Sequence, residues 1–367
     1  MIKKLKSFTL HMIAGANFAT IIVMLFTGYV DHINPTAFPL LSNAGLAFPI
    51  FLFINFAFLV FWLIFKTRWS LIPFIGFLLC YGPARKYCPL NIQREPPADA
   101  IKVLSYNVWY FAGWEDSEGS VNPILEYIRE QDADIVCLQE SSTNEVRGNQ
   151  VDSILNPIYQ YRDTARHGKG DCISIFSKYP ILSKEHIPYQ SKGNISAAFK
   201  VLIGDEEVLV INNHLETTGL THEEKTQFKT MMKGEMKVDT AEMTSKMLIS
   251  KLAKATAIRA PQAEAVARYI AYHRDMPVIV CGDFNDSPLS YVHRTIAKNL
   301  TDCYIETGNG PGISYHHNGF YVRIDNIMCS SHFEPYACRV DNKIKNSDHY
   351  PIYCWLKMRP KAQKMNN

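Results

Sequence analysis

Two stretches of this 367-residue chain carry no charge at all: residues 8 to 30, FTLHMIAGANFATIIVMLFTGYV, and residues 44 to 65, AGLAFPIFLFINFAFLVFWLIF. Each is long enough for a helix to cross a bilayer core, which takes roughly 20 apolar residues. The first also lacks the small-residue cleavage pattern of a signal peptide, and its apolar run is too long for one. Among the nine cysteines there is no Cys-x-x-Cys pair and no Cys/His ligand spacing, so a structural zinc site is not indicated. Their odd number argues against a complete disulfide framework. Cys137, Cys281 and Cys354 sit in apolar, strand-like runs and read as small buried hydrophobes. Charge of one sign is not in excess either: the net charge of +3 is too small to imply a nucleic-acid partner. No internal repeat or low-complexity tract occurs, and no feature points to an obligate protein partner.

The uncharged runs define an N-terminal membrane anchor over residues 1–86. A third stretch, 69–84, is also uncharged but short and interrupted by Pro73 and Pro83. Lys3, Lys4 and Lys6 favour an inside N-terminus, the loop 31–43 has no Lys or Arg, and Lys66 and Arg68 mark a second inside segment. With 69–84 as a third span the remainder lies outside, although Arg85 and Lys86 oppose that placement. Residues 87–99 carry Pro89, Pro96 and Pro97 and read as an extended linker. A soluble domain then occupies 100–357, and 358–367 form a tail.

Within the soluble domain strands and helices alternate. Strands are expected at 101–108, 134–139, 171–177, 195–203, 207–213, 277–281, 322–329 and 350–356. Gly204-Asp205 marks a hairpin. Asn122-Pro123 caps a helix with a stripe of Ile124, Leu125 and Ile128, and 262–272 form another. The class is α/β, with sheets covered by helices. Polar residues collect at strand ends: Asn107, Glu140, His214, Asp283 with Asn285, Asp325, and Asp348-His349 just before the last strand. If that last strand runs antiparallel to its neighbours, one rim gathers all of them.

So many oxygen donors suit Mg²⁺, with Mn²⁺ and Ca²⁺ as alternatives, rather than zinc. Crowded carboxylates need a cation to hold them together, and the two histidines supply proton transfer near neutral pH, with Asp325 placed to orient one imidazole. Metal, base and charge stabilisers together fit attack of water on phosphorus.

The ordered fragments SYNV, LQE, NNHLE, GDFN, RID and SDHYP resemble the endonuclease/exonuclease/phosphatase superfamily, which includes deoxyribonuclease I, exonuclease III and neutral sphingomyelinases. The resemblance covers residues 100–357. It implies a four-layer sandwich of two mixed sheets flanked by helices, and the apolar segments with HLETTGL look like a membrane-anchored bacterial subgroup. That places the chain in the bacterial inner membrane with its catalytic domain on the periplasmic side. It also implies that Glu140 binds the metal, helped by Asn107 and Asp348. Asp283 and Asn285 position water and phosphate. Asp325 pairs with His349, the base, and His214 contacts the phosphate or protonates the leaving oxygen. Asp163 and Asp171 are the candidate partners of His214. Arg166 and Lys169, in RHGKGD, and Tyr315, in GISYHH, are candidates for reaching a substrate phosphate.

Taken singly, each residue has an ordinary explanation. Asn107 suits a strand-end turn, Glu140 a cap, His214 a core position, Asp325 a pairing with Arg323, and Asp348-His349 a surface turn. His316 and His317 read as solvent-exposed. Residues 217–258 form a Met- and Lys-rich insert, expected as an amphipathic helix packed on the core or as a lid beside His214. The activity expected is phosphodiester hydrolysis, of nuclease or lipid type. Phosphomonoesterase action on lipid or inositol phosphates, or a catalytically inactive binding module, are the alternatives.

Overall fold

The computed structural model describes residues 2–112, 121–168 and 170–360. Four helices come first: α1 (Ile2–Gly28), α2 (Phe48–Phe65), α3 (Leu71–Leu79) and α4 (Tyr81–Tyr87). Two segments, Lys4–Gly28 and Leu41–Phe65, are long and apolar enough to cross a membrane. Their apolar side chains are not core: Phe8, Phe18, Ile22, Phe53, Leu63 and Ile64 are all exposed. Between the helices Ile21, Met24, Phe48 and Trp62 are buried, and with them a hydrogen-bonded polar pair, Asn17 and Asn55. Asn17 donates to Asn55 (3.2 Å), the Trp62 indole donates to Asn17 (3.2 Å), and Asn55 donates to the Pro73 carbonyl (3.0 Å). Apolar outside and hydrogen-bonded inside is the arrangement a lipid environment favours.

The third stretch is not one continuous helix. Its helix α3 has nine residues, about 13 Å at the α-helical rise. Pro83 lacks the N–H that would bond the Leu79 carbonyl, so the helix breaks at Cys80, and the Tyr29 hydroxyl takes that carbonyl instead (2.7 Å). The broken segment nevertheless packs beside the other two. Trp69 lies 5.1 Å from both His11 and Trp62, and a methyl on Gly28 would touch Pro83 at 3.0 Å. The α1–α2 connection and the end of α4 therefore lie at the same end of the bundle.

From Ile101 the chain alternates as β1 (Ile101–Asn107), α5 (Pro123–Gln131), β2 (Ile135–Gln139), α6 (Glu145–Leu155), β3 (Tyr161–Arg166) and β4 (Cys172–Ser177). Then come β5 (Ile181–His186), β6 (Ile195–Ile203), β7 (Glu206–His214), α7 (His222–Met232), α8 (Val238–Tyr272) and β8 (Val278–Asp283). The remainder is α9 (Tyr291–Ile296), β9 (Thr301–Asp302), α10 (Cys303–Thr307), β10 (Asp325–Cys329), β11 (Phe333–Val340) and β12 (Ile352–Met358). Local signals explain several starts. Asn122 accepts from the Ile124 and Leu125 amides, a cap that stabilises α5 by about 1 kcal/mol, with Pro123 in the first turn. Gly204 takes φ +60° in the β6–β7 turn.

Two six-stranded mixed sheets result, ordered β11-β12-β1-β2-β4-β3 and β5-β6-β7-β8-β10-β9. Between them lies an apolar core that includes Val103, Ile135, Phe199, Val210 and Ile327. Outside the first sheet α5 packs through Ile124, Leu125 and Ile128; outside the second α8 packs through Ala263, Val266 and Ile270. This is the four-layer sandwich expected. All nine cysteines are free among the described residues, and Cys137, Cys281 and Cys354 are buried. The insert is a helical hairpin, but α8 runs on through Pro261 to Tyr272, so the separate helix expected at 262–272 is its C-terminal part.

Residues 88–99 have no regular structure and lie along the sandwich: Asn91 donates to the Gly308 carbonyl (2.7 Å), and Gln93 to that of Thr307 (2.8 Å).

Candidate active site

Strand register brings the polar ends together. β1 and β2 are parallel, so Asn107 pairs with Gln139, the residue before Glu140. β7 and β8 are parallel and pair His214 with Asp283. β10 runs antiparallel to β8, starting where β8 stops, with Asp325 opposite Asp283. β12 is antiparallel to β1 and follows His349. One rim thus carries every strand-end residue, and the two sheets meet there. The Asn107 amide donates to Asp283 across the sheets (3.1 Å) and to Glu140 beside it (3.2 Å).

The backbone is unusual at the same places. Glu140 and Asn285 take φ +51° and +52°, and Trp109, Tyr110 and Phe111 are left-handed in succession. Such conformations cost about 1–3 kcal/mol each and concentrate where function requires a side chain to be aimed. Asp283 is fixed by the Asn285 amide (2.8 Å), while the Asn285 side chain donates to the Leu215 carbonyl (3.0 Å).

Two carboxylate–imidazole pairs face each other. His349 Nδ1 bonds Asp325 (2.8 Å) and its Nε2 lies 3.6 Å from Asp283. His214 Nδ1 bonds Asp171 (2.6 Å), and its Nε2 lies 3.7 Å from Asp283 and 3.8 Å from Glu140. Asp171 is therefore the His214 partner, and Asp163 pairs with Lys184 instead. Burial alone would lower each imidazolium pKa. For His214 the charges of Asp171, Asp283 and Glu140 outweigh burial and push it up to about 10. For His349 the charges of Asp325 and Asp283 do the same, also to about 10. Burial lifts the Asp283 carboxyl to about 6, against the pull of both histidines.

The donor set fits a hard divalent cation. Five carboxylates, Glu140, Asp171, Asp283, Asp325 and Asp348, surround two imidazoles at this rim. Even two protonated imidazoles leave negative charge in excess. Asp283, Asp325 and His349 each offer an atom within 4.8 Å of the others, and Asp325 Oδ1 is buried without a hydrogen-bond partner among the described residues. Glu140 and Asp348 line the same cleft and are partly open to it.

The cavity in this cleft measures about 160 Å³. Tyr315 lines it, its ring edge-on to His349 at 5.0 Å, with Lys225 Nζ 5.3 Å from the same ring. Arg166 is not part of it: its side chain faces a neighbouring groove with Ser141 and Phe176. Lys169 lies outside the described residues. Arg323 does not pair with Asp325; its guanidinium bonds the Pro311 and Lys86 carbonyls. His316 and His317 are half-buried rather than exposed, and His316 stacks on Tyr350 at 3.7 Å.

Sequence reading passed over three residues here. Arg259 is buried in α8 and bonds Asp286 (3.2 Å), the Glu216 carbonyl (3.0 Å) and Thr256 (3.0 Å). A lone arginine on the Ala255–Ala260–Ala263 face was the available signal. Asp286 directly follows GDFN. Lys225 sits in an exposed-looking insert and gives no signal at all.

The Endonuclease/Exonuclease/phosphatase family model matches residues 104–349, more than half of the chain. A second model, described only as a domain of unknown function, matches residues 10–87. Among solved structures, the human Nocturnin catalytic domain with bound sulfate anion is 17% identical with TM-score 0.51, covering 72% of this chain and 95% of that one. Truncated Caenorhabditis elegans TDP2 is 15% identical with TM-score 0.49, covering 72% and 99%. A family protein from Bacteroides thetaiotaomicron is 17% identical with TM-score 0.47, covering 72% and 98%. At these identities the likeness is one of fold. The comparison with curated proteins returned no match.

Proposed function

The chain belongs to the endonuclease/exonuclease/phosphatase family, and on that premise we propose that it is a membrane-anchored, Mg²⁺-dependent phosphodiesterase. The observation that carries this reading is the facing pair of dyads, His349–Asp325 and His214–Asp171, on either side of Asp283. A bound phosphodiester, one attacking water and one leaving oxygen need three kinds of help: a base, a proton donor and positive charge.

Glu140 would hold the cation, with Asn107 and Asp348 beside it. A divalent ion there would supply positive charge for the phosphate and would offset the charge of the nearby acids once His349 is neutral. His349, held through Nδ1 by Asp325, then presents a free Nε2 on the side of Asp283 and accepts the proton of the attacking water. Asp283 and Asn285 orient that water and the phosphate. His214, kept protonated by Asp171, donates to a phosphate oxygen and then to the leaving oxygen. Tyr315 and Lys225 sit at the mouth, where they meet the substrate phosphate.

The N-terminal helices support a bilayer location, because their apolar faces are uncovered. Lys4, Lys6, Lys66 and Arg68 cluster at the bundle end away from the sandwich. By charge bias that end is cytoplasmic, which puts the catalytic domain on the periplasmic face of a bacterial inner membrane.

The test uses full-length protein in detergent with Mg²⁺ or EDTA, on bis(p-nitrophenyl) phosphate and p-nitrophenyl phosphate. Mg²⁺-dependent hydrolysis of the diester, reduced at least 100-fold in Glu140→Gln and His349→Ala, is expected. Preference for the monoester would turn the assignment to a phosphatase. No hydrolysis of either would leave a binding module.

A further inference from the structure

We infer that the substrate is a lipid phosphate ester resident in the bilayer, drawn into the cleft between the N-terminal helical segment and α8. This rests on the phosphoesterase reading above and names the substrate class of the same site.

A tether needs no particular position relative to the chemistry. Here the membrane segment forms a wall of it. The connection between α1 and α2 ends in a 3₁₀ turn, Leu41–Ala47, and Asn43 and Leu46 of that turn line the cleft that holds Glu140, His214, Asp283 and His349. The placement is fixed by specific bonds. Thr256 of α8 donates to Asn43 (3.1 Å), Asn34 reaches the Tyr291 hydroxyl (3.5 Å), and Arg85 pairs with Glu306 of α10 (2.9 Å). A methyl on Gly45 would meet the Leu289 carbonyl at 3.0 Å, so the turn lies tight on the loop that follows the Asp283–Asn285 segment. From Asn43 the chain of bonds continues through Thr256 and Arg259 to Asp286, next to Asn285.

The lining is mixed in chemistry. Acids and histidines line the cleft together with the apolar side chains of Leu46, Leu220, Leu252 and Phe320, three of which come from the α1–α2 turn, the insert and α8. Phe320 is braced by a stacked contact with Phe228 of α7, centroids 4.1 Å apart. A nucleotide chain has no use for an aliphatic lining beside the scissile phosphate; its sites interleave cations with aromatic platforms. An amphiphile needs both kinds of lining, with phosphate among the polar groups and an apolar stem against the apolar ones.

The path to the bilayer is short. Leu46 is two residues before the first residue of α2, and Leu41 of the turn and Leu40 just before it are exposed. On the far side of the same contact between turn and helix lies an open groove between Pro39 and Leu40 and the Ile249–Ala253–Ala257 face of α8, edged by Lys246 and Lys254. Exposed aliphatic groups next to lysines suit the headgroup boundary of a membrane.

The test holds the reacting group constant and varies the tail. Full-length protein in a fixed non-ionic detergent is given ethyl, octyl and hexadecyl esters of p-nitrophenyl phosphate with Mg²⁺, and ethyl and hexadecyl phosphate as monoester counterparts. The expected result is a kcat/KM that rises at least 100-fold from the ethyl to the hexadecyl ester. In Leu46→Asp and in Leu252→Asn the ratio of hexadecyl to ethyl activity falls at least tenfold. The second variant lies in the sandwich, so a collapse of the membrane segment alone cannot mimic the effect. Glu140-dependent hydrolysis that is flat across the series overturns the lipid inference and leaves the phosphoesterase standing. So does cleavage of plasmid DNA that outpaces the hexadecyl ester. Absence of Glu140-dependent hydrolysis on every ester sinks both.

Discussion

Replacing Gly282 by alanine tests the geometry of the rim most sharply. Gly282 sits in β8 at φ +122°, paired with Asn213 of β7. A Cβ there would stand 2.0 Å from the Asn213 carbonyl oxygen and 2.7 Å from its nitrogen. An ordinary carbon–oxygen contact is longer by more than about 1 Å, so the two central strands must part by that much. The backbone strain costs about 1–3 kcal/mol and the overpacking a similar amount, together about 2–6 kcal/mol. The displaced residues are the next pair in register, His214 and Asp283. A shift of ~1 Å in groups that act together costs ~10²-fold in rate. Thermal unfolding in detergent and kcat/KM on bis(p-nitrophenyl) phosphate read both effects. A Gly282→Ala protein within about 0.5 kcal/mol of wild type, with full activity, would refute the reasoning.

Asp171→Asn removes the charge that holds His214 protonated, and its kcat on the diester should drop ~10²-fold or more with little change in KM; an unchanged kcat would strip His214 of its role. Asp302 is buried, which would raise its carboxyl, but the His293 hydrogen bond and charge outweigh this and hold it below the ordinary value. Its contribution to stability is complete above the unfolded-state value of about 4 and is lost as pH falls through the folded one. The stability gap between wild type and Asp302→Asn, read by thermal unfolding, should therefore narrow below about pH 4; a gap that widens there contradicts the pairing. Asn55→Leu orphans the Asn17 amide inside the helical bundle and should destabilise that bundle by about 1 kcal/mol, measured by unfolding in mixed micelles; a stabilised bundle would mean the polar network is not what joins these helices.

The polar rim is legible in the sequence because strand-end polarity interrupts apolar runs, and parallel register then forces the ends together. The strands that escaped notice, β3, β5, β9 and β11, are the four outermost in the two sheets. β5 reads ILSKEH, mostly exposed, and β3 reads YRDTAR. Edge strands carry charge to discourage pairing with other chains, which erases the apolar signal used to find strands. Starts were placed early at 322 and 350, where the chain is still rim loop before Asp325 and Ile352. The insert at 217–258 and the helix at 262–272 are expected as separate pieces, yet α8 joins them and continues through Pro261. Pro73 and Pro83 announce the interruption of the third apolar stretch, but the Tyr29 hydroxyl that serves the Leu79 carbonyl comes from a distant helix and shows in no local pattern. Asp171 pairs with a histidine 43 residues away through sheet geometry that no local pattern encodes.

The hold of Thr256 on Asn43 has a practical side. A natural experiment is to trim the chain to a fragment that starts near Ala100. Such a fragment would keep every acid and histidine yet open one flank of its pocket to solvent. It could still cleave a small chromogenic ester while losing its sense of what it was built to cut, so selectivity measured on it would describe the scissors without the guide rail.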